Sequence, residues 1–230
     1  LNMLYSVTGR GGLVKPGKCF FPCERSDAWV IMQAGSNARQ TGHQRKGVHM
    51  DQLLRRQAEQ IVRAAIRAVQ PDDAVRRALQ GQKFSGRVLL VAAGKAAWQM
   101  AKAACDCLGD RIERGVVITK YGHIMGPIGN FDCCEAGHPV PDENSFAGTR
   151  KALELVNDLK PEDTVLFLLS GGGSALFEEP LVPGPVLQDI TQQLLACGAD
   201  IVEINTIRKR LSAVKGGRFA LPCAPAQVFS

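Results

Sequence analysis

Thr164-Val165-Leu166-Phe167-Leu168-Leu169-Ser170-Gly171-Gly172-Gly173-Ser174 is the stretch whose reading decides the fold. Its first six residues are β-branched or apolar with no polar alternation. That is the pattern of a strand buried on both faces, as in a parallel sheet covered by helices. The glycines stop the strand abruptly. Three in a row cost chain entropy, and they are useful where backbone must approach a ligand and offer it several N–H groups.

Working outward, the neighbouring segments supply the rest of such a sheet. Upstream, Arg87 to Ala92 reads as a compact apolar strand. Gly94 and a helix from Lys95 to Leu108 come after it. Gly115 to Thr119 and Phe131 to Glu135 read as further strands. His138 to Asp142 is a proline-punctuated loop feeding a helix from Asn144 to Leu159. Leu53, Leu54, Ala58, Ile61, Val62, Ala65, Ile66 and Val69 recur at helical spacing, so Asp51 to Val69 reads as an amphipathic helix. Pro71 ends it, and Asp72 or Asp73 can cap a short helix to Leu79. Downstream, the pattern predicts a helix over Val186 to Leu195 and helical pieces at Asn205 to Leu211 and Gly217 to Leu221. A strand begins at Ala226. Strands alternating with helices give βαβ units and an α/β fold. Ligands of such sheets bind at the carboxyl ends of the strands.

Composition narrows the function classes. The chain has 230 residues, 45% hydrophobic and 22% charged, an ordinary globular balance. No run approaches the ~18 apolar residues of a membrane span, and no secretory signal pattern is present, so a cytoplasmic protein without a membrane partner is expected. The net charge of +6 suggests a polyanion partner, but its placement argues otherwise. Residues 1–49 hold seven basic side chains (Arg10, Lys15, Lys18, Arg25, Arg39, Arg45, Lys46) against Glu24 and Asp27, leaving +1 for the rest. That segment has no sustained period and little aromatic interleaving. It reads as a disordered leader, or as sequence upstream of a natural start at Met50, rather than a nucleic-acid-binding tail. The eight cysteines read as reduced thiols. Cys19 and Cys23 lack zinc spacing, and no metal ligands are assigned.

Two loops carry the chemistry. In Ala93-Gly94-Lys95-Ala96-Ala97, Lys95 would lie in the first turn of a helix. A cation there faces the positive end of the helix dipole, at a cost of up to about 1 kcal/mol. An anionic ligand reverses that sign; the bland alternative is a solvated lysine. In the loop Ser170, Gly171, Gly172, Gly173, Ser174, the last residue can cap the next segment. The bland alternative is a tight strand-to-helix turn. It is not a Walker A loop, a dinucleotide fingerprint or a GxSxG nucleophile elbow. A third candidate is Lys215-Gly216-Gly217-Arg218, preceded by Asn205 and Arg208-Lys209-Arg210. It reads equally as a solvated charged face. His138 adjoins these loops as a hydrogen bonder or a base.

Five motifs in order and spacing resemble the type 2 glycerate kinases, also called the MOFRL family. They are Gly94-Lys95-Ala96-Ala97, Gly137-His138-Pro139-Val140-Pro141-Asp142, Ser170 to Leu176, Ile204-Asn205-Thr206-Ile207-Arg208-Lys209, and Lys215-Gly216-Gly217-Arg218. The resemblance runs from about Met50 to Ser230. It implies a Rossmann-like three-layer N-terminal domain over 50–230 and an ATP-dependent kinase that phosphorylates the 2-hydroxyl of D-glycerate. It also implies Lys95 as the catalytic lysine and Gly171 to Ser174 as the glycine-rich loop. On that reading Lys95 neutralises the transferring phosphoryl group, and the N–H groups of Gly171, Gly172 and Gly173 hold anion oxygens. Mg²⁺ bridges the nucleotide phosphates, and Arg208, Lys215 or Arg218 binds the glycerate carboxylate. The family continues into a second, C-terminal domain that completes the cleft, so this 230-residue chain alone is expected to be weak or inactive. Rival readings are a non-catalytic nucleotide- or anion-binding chain and a hydroxypyruvate reductase, a label some members carry. A homo-oligomer is left open.

Overall fold

Every pairing between the described strands is parallel. The structure, a computed structural model, describes residues 44–230. The chain divides into two units, Leu1–Ile61 and Val62–Ser230. The leader expected over residues 1–49 lies outside the described residues up to 43. Its end is helical, because α1 spans Gln44–Ala68 rather than starting at Asp51. Gln44, Arg45 and Lys46 are good helix formers with no breaker among them. The apolar stripe of α1, including Leu53, Leu54, Ile61, Val62 and Ile66, is exposed.

The sheet is built from β1 (Val88–Ala93), β2 (Ile112–Lys120), β3 (Phe131–Ala136), β4 (Thr164–Leu169) and β5 (Gln227–Phe229), in the order β3-β2-β1-β4-β5. β1 is central and buried along its whole length. Ala93 pairs with Ile118 of β2 on one side and with Leu169 of β4 on the other. Alternation along β1 assigns its side chains to two layers. Leu89, Val91 and Ala93 pack with Val116, Ile118, Ala152 and Val156. Val88, Leu90 and Ala92 pack with Val75, Leu79, Ala97, Ala101 and Ala104. The helices behind these layers are α2 (Pro71–Leu79), α3 (Ala97–Leu108) and α4 (Glu143–Leu155). The sheet with its helical layers is the expected three-layer α/β architecture.

The remaining helices are α5 (Gly173–Leu176), α6 (Gly184–Ala196), α7 (Ile201–Arg210) and α8 (Ala220–Cys223). Several boundaries move from the sequence reading for local reasons. Gln70, not an aspartate, caps α2, with Pro71 first in the helix and Asp72 and Asp73 in its first turn. α4 stops at Leu155 instead of Leu159, because Asp158 adopts a left-handed φ of 69° and its carbonyl accepts from Arg87. α7 starts at Ile201, ahead of Asn205, because Asp200 and Glu203 form a reciprocal capping box. α3 starts at Ala97, so Lys95 precedes the helix rather than lying in its first turn.

Candidate active site

Strand order reverses between β1 and β4, since β1 connects outward to β2 and β3 while β4 leads to β5 on the other side. The crevice outside the carboxyl ends of those two strands is where such sheets bind ligands. The loops after β1 and β4 are the two that the sequence singled out, and they are tied together. The N–H of Lys95 donates to the carbonyl of Gly171 (2.9 Å), and that of Ser170 donates to Ala93 (3.0 Å). The N–H of Ala96 donates to Oγ of Ser170 (3.0 Å). Held by Ser170, Ala96 sits at φ −102° and ψ 10°, outside helical geometry, and α3 starts after it.

Two glycines allow this closeness. Gly94 has φ +127°, and a methyl group on it would lie 2.1 Å from Ser170 Oγ. Gly172 has φ +90°. A methyl group there would lie 2.9 and 3.0 Å from Cδ2 and Nε2 of His138 and 3.3 Å from Cγ of Lys95. Both positions exclude a side chain by conformation and by crowding. The rings and stems over Gly172 mean that Lys95 and His138 converge on the glycine loop from the ends of β1 and β3.

The loop's donors can be counted. The N–H of Gly173 is committed to the carbonyl of Ser170 (3.1 Å). Among the described residues, the N–H groups of Gly171, Gly172 and Ser174 have no protein acceptor. The free trio is therefore Gly171, Gly172 and Ser174, not Gly171 to Gly173. Ser174 lies inside α5, and Gly172 holds the cap position. Lys95 is exposed, and its ammonium has no ion-pair partner among the described residues. Its carbonyl receives Nδ1 of His123 (3.0 Å). The backbone at His123 is itself held by N–H bonds from His123 and Ile124 to Glu135 (2.9 and 3.0 Å). His138 is half-buried and makes no side-chain hydrogen bond among the described residues. Burial, with the charges of Lys95 and Lys120, holds its pKa below the ordinary histidine value.

The cations of the third motif behave differently. Glu178 is completely buried. Its Oε2 lies 2.5 Å from Nζ of Lys215 and 3.7 Å from the guanidinium of Arg208. Arg208 also donates to the carbonyl of Ser174 (2.8 Å), and Lys215 to that of Phe177 (2.9 Å). Arg208 and Lys215 therefore buttress the glycine loop from beneath instead of being presented to solvent. Burial pushes the Lys215 amine down to about 8, with Glu178 opposing the shift. Arg218 donates through one nitrogen to the carbonyls of Lys209 (2.8 Å) and Ser212 (2.5 Å). It is otherwise exposed. Asn205 is half-buried on α7 and no hydrogen bond ties its side chain to the loop.

Sequence reasoning missed Glu178 and His123. Glu178 comes after an apolar run and carries no motif, and its partners lie far along the chain, on Arg208 and Lys215. His123 acts through a carbonyl that any residue has.

Comparison with known proteins adds to this geometry. The family model described as "Domain of unknown function (DUF4147)" matches residues 57–230. A D-glycerate 2-kinase from Thermotoga maritima is 58% identical over 177 residues, covering 76% of this chain and 42% of that protein. A glycerate 2-kinase from Pyrococcus horikoshii is 44% identical over 174 residues, covering 70% of this chain and 39% of that protein. The crystal structure of a glycerate kinase from Thermotoga maritima matches with a TM-score of 0.72 at 56% identity, over 77% of this chain and 43% of that one. The chain thus spans about two fifths of the length of these relatives.

Proposed function

Since the chain belongs to the DUF4147 family and is homologous over that domain to glycerate 2-kinases, we propose that it carries the anion-binding half of a kinase acting on D-glycerate. The reaction transfers a phosphoryl group from ATP to the 2-hydroxyl and gives 2-phosphoglycerate. The observation that carries this reading is the free donor trio of Gly171, Gly172 and Ser174, set at the switch point beside the unpaired ammonium of Lys95. A nest of backbone N–H groups with one exposed cation suits phosphate oxygens. Phosphoryl transfer needs little beyond positioning and charge stabilisation.

The nucleotide, when bound, supplies the phosphoryl group. The loop N–H groups hold its oxygens, and Lys95 offsets the charge that builds on the group in transit. Mg²⁺ would be carried by the nucleotide phosphates and water. Among the described residues no group of three His, Cys, Asp or Glu side chains is placed to hold a metal. With Arg208 and Lys215 engaged by Glu178, Arg218 is the cation of the third motif still open to a carboxylate.

A hydroxypyruvate reductase has less support, because neither glycine loop carries the dinucleotide spacing. The six described cysteines are free thiols, which fits a cytoplasmic location. No helix among the described residues is long and apolar enough to cross a membrane. The test is ADP release from ATP in the full-length protein, with and without D-glycerate, and identification of the product by phosphorus NMR. Glycerate-dependent release with 2-phosphoglycerate as product is expected. Tight ATP binding without turnover would favour the non-catalytic reading instead.

A further inference from the structure

His138 is half-buried at the end of the β3 loop, and its Nε2 overhangs Gly172 in the glycine loop. Its ring shares that position with the stem of Lys95. A histidine placed for structure normally spends a ring nitrogen on a carbonyl or carboxylate, as His123 does on Lys95. His138 spends neither.

We propose that His138 is the general base of the phosphoryl transfer, with Nε2 taking the proton of the accepting hydroxyl. This rests on the kinase reading above. In the step, the hydroxyl O–H bond breaks and its proton goes to Nε2. The oxygen's electron pair forms the new O–P bond. The bond between that phosphorus and the nucleoside diphosphate breaks, and its pair leaves with the diphosphate. The imidazolium then returns its proton to solvent. Lys95 beside the ring serves the phosphoryl oxygens, so base and charge stabiliser flank the same donor trio.

The charged groups around the ring are Lys95 from the β1 loop and Lys120 at the end of β2. The nearby carboxylate of Asp142 is occupied, accepting from Tyr121 and from the backbone and hydroxyl of Ser145. Burial and the two lysines hold the imidazole below the ordinary histidine value, which favours the neutral form a base requires.

The experiment is steady-state kinetics of the full-length protein carrying His138→Gln. The expected result is a fall in kcat of about 10²–10⁴-fold, with KM for glycerate within threefold of the parent, on the order of 0.65 kcal/mol in binding. The acid limb of the kcat–pH profile disappears with it. Retention of kcat or of the acid limb overturns the proposal. So does a loss confined to KM with the pH profile unmoved, which marks a structural role. His138→Gly with added imidazole is the second arm. Restored turnover that tracks neutral imidazole supports the base, and no restoration in a folded variant counts against it. If both variants fail to fold, the parent decides, since a kcat flat through the acid range overturns the proposal. A parent without glycerate-dependent turnover overturns the kinase reading and this inference together, whereas an active parent with an active His138→Gln overturns only the inference.

Discussion

Lys95 is fixed at its backbone and free at its tip. Its N–H is tied to Gly171 and its carbonyl to His123, so the side chain can be removed without disturbing either loop. Lys95→Ala is therefore expected to lower kcat by about 10²–10³-fold while changing stability by less than about 0.5 kcal/mol. Kinetics alongside thermal melting checks this, and a variant with parental kcat would remove Lys95 from the chemistry. Lys95, Gly171 and Gly172 were legible in the sequence because a cation and glycines directly after strands are local features. The exchange of Gly173 for Ser174 in the donor trio was not, because it turns on one hydrogen bond from Gly173 to Ser170. No composition rule encodes that bond.

At the scale of elements, the glycine loop is held from two sides. The β1 loop binds it above through Ser170 and Gly171, and the Glu178 cluster supports it below through the carbonyls of Ser174 and Phe177. Glu178→Gln leaves two buried cations without their counter-ion, so it is expected to destabilise the fold by about 3–5 kcal/mol. Glu178→Gln with Lys215→Met, which removes one of those cations, should recover part of the loss in a denaturant titration. No recovery would mean that charge pairing is not what Glu178 supplies. β1 and β4 were the most legible strands because a strand buried in the middle of a parallel sheet is a continuous apolar run, whereas β3 carries Asp132 and Glu135 and is only half-buried. The helix ends were less so, because α3 and α4 stop or start where a distant group takes a backbone hydrogen bond. Ser170 does this at Ala96 and Arg87 at Asp158.

On the scale of the whole molecule, the sheet has a chemical end and an anchoring end. Opposite the loops, the Arg87 guanidinium grips Asp163 (2.7 Å), whose carboxylate also accepts from the backbone of Arg87 and Lys160 (3.0 and 2.9 Å). Asp163 is buried at the foot of β4, and chiefly the Arg87 hydrogen bond lowers its pKa from 3.8 to about 2. A depressed carboxylate contributes stability that is complete above its unfolded value and is lost as pH falls through the folded one. The melting temperature should therefore drop between about pH 4 and pH 2. Asp163→Asn should start lower and show a shallower drop in the same window; an unchanged acid slope would show that other carboxylates govern it. The indole of Trp98, near the start of α3, donates to the carbonyl of Gly126 (2.8 Å) in the segment that carries His123. The only other tryptophan among residues 1–230 is Trp29. A Trp29→Phe protein, excited selectively at the indole band, would thus report from Trp98 alone within this chain, in the segment whose His123 holds the carbonyl of Lys95. Its emission should respond to added inorganic phosphate or ATP, and the ligand concentration needed for that response should rise in Lys95→Ala, giving an optical readout of occupancy that needs no turnover.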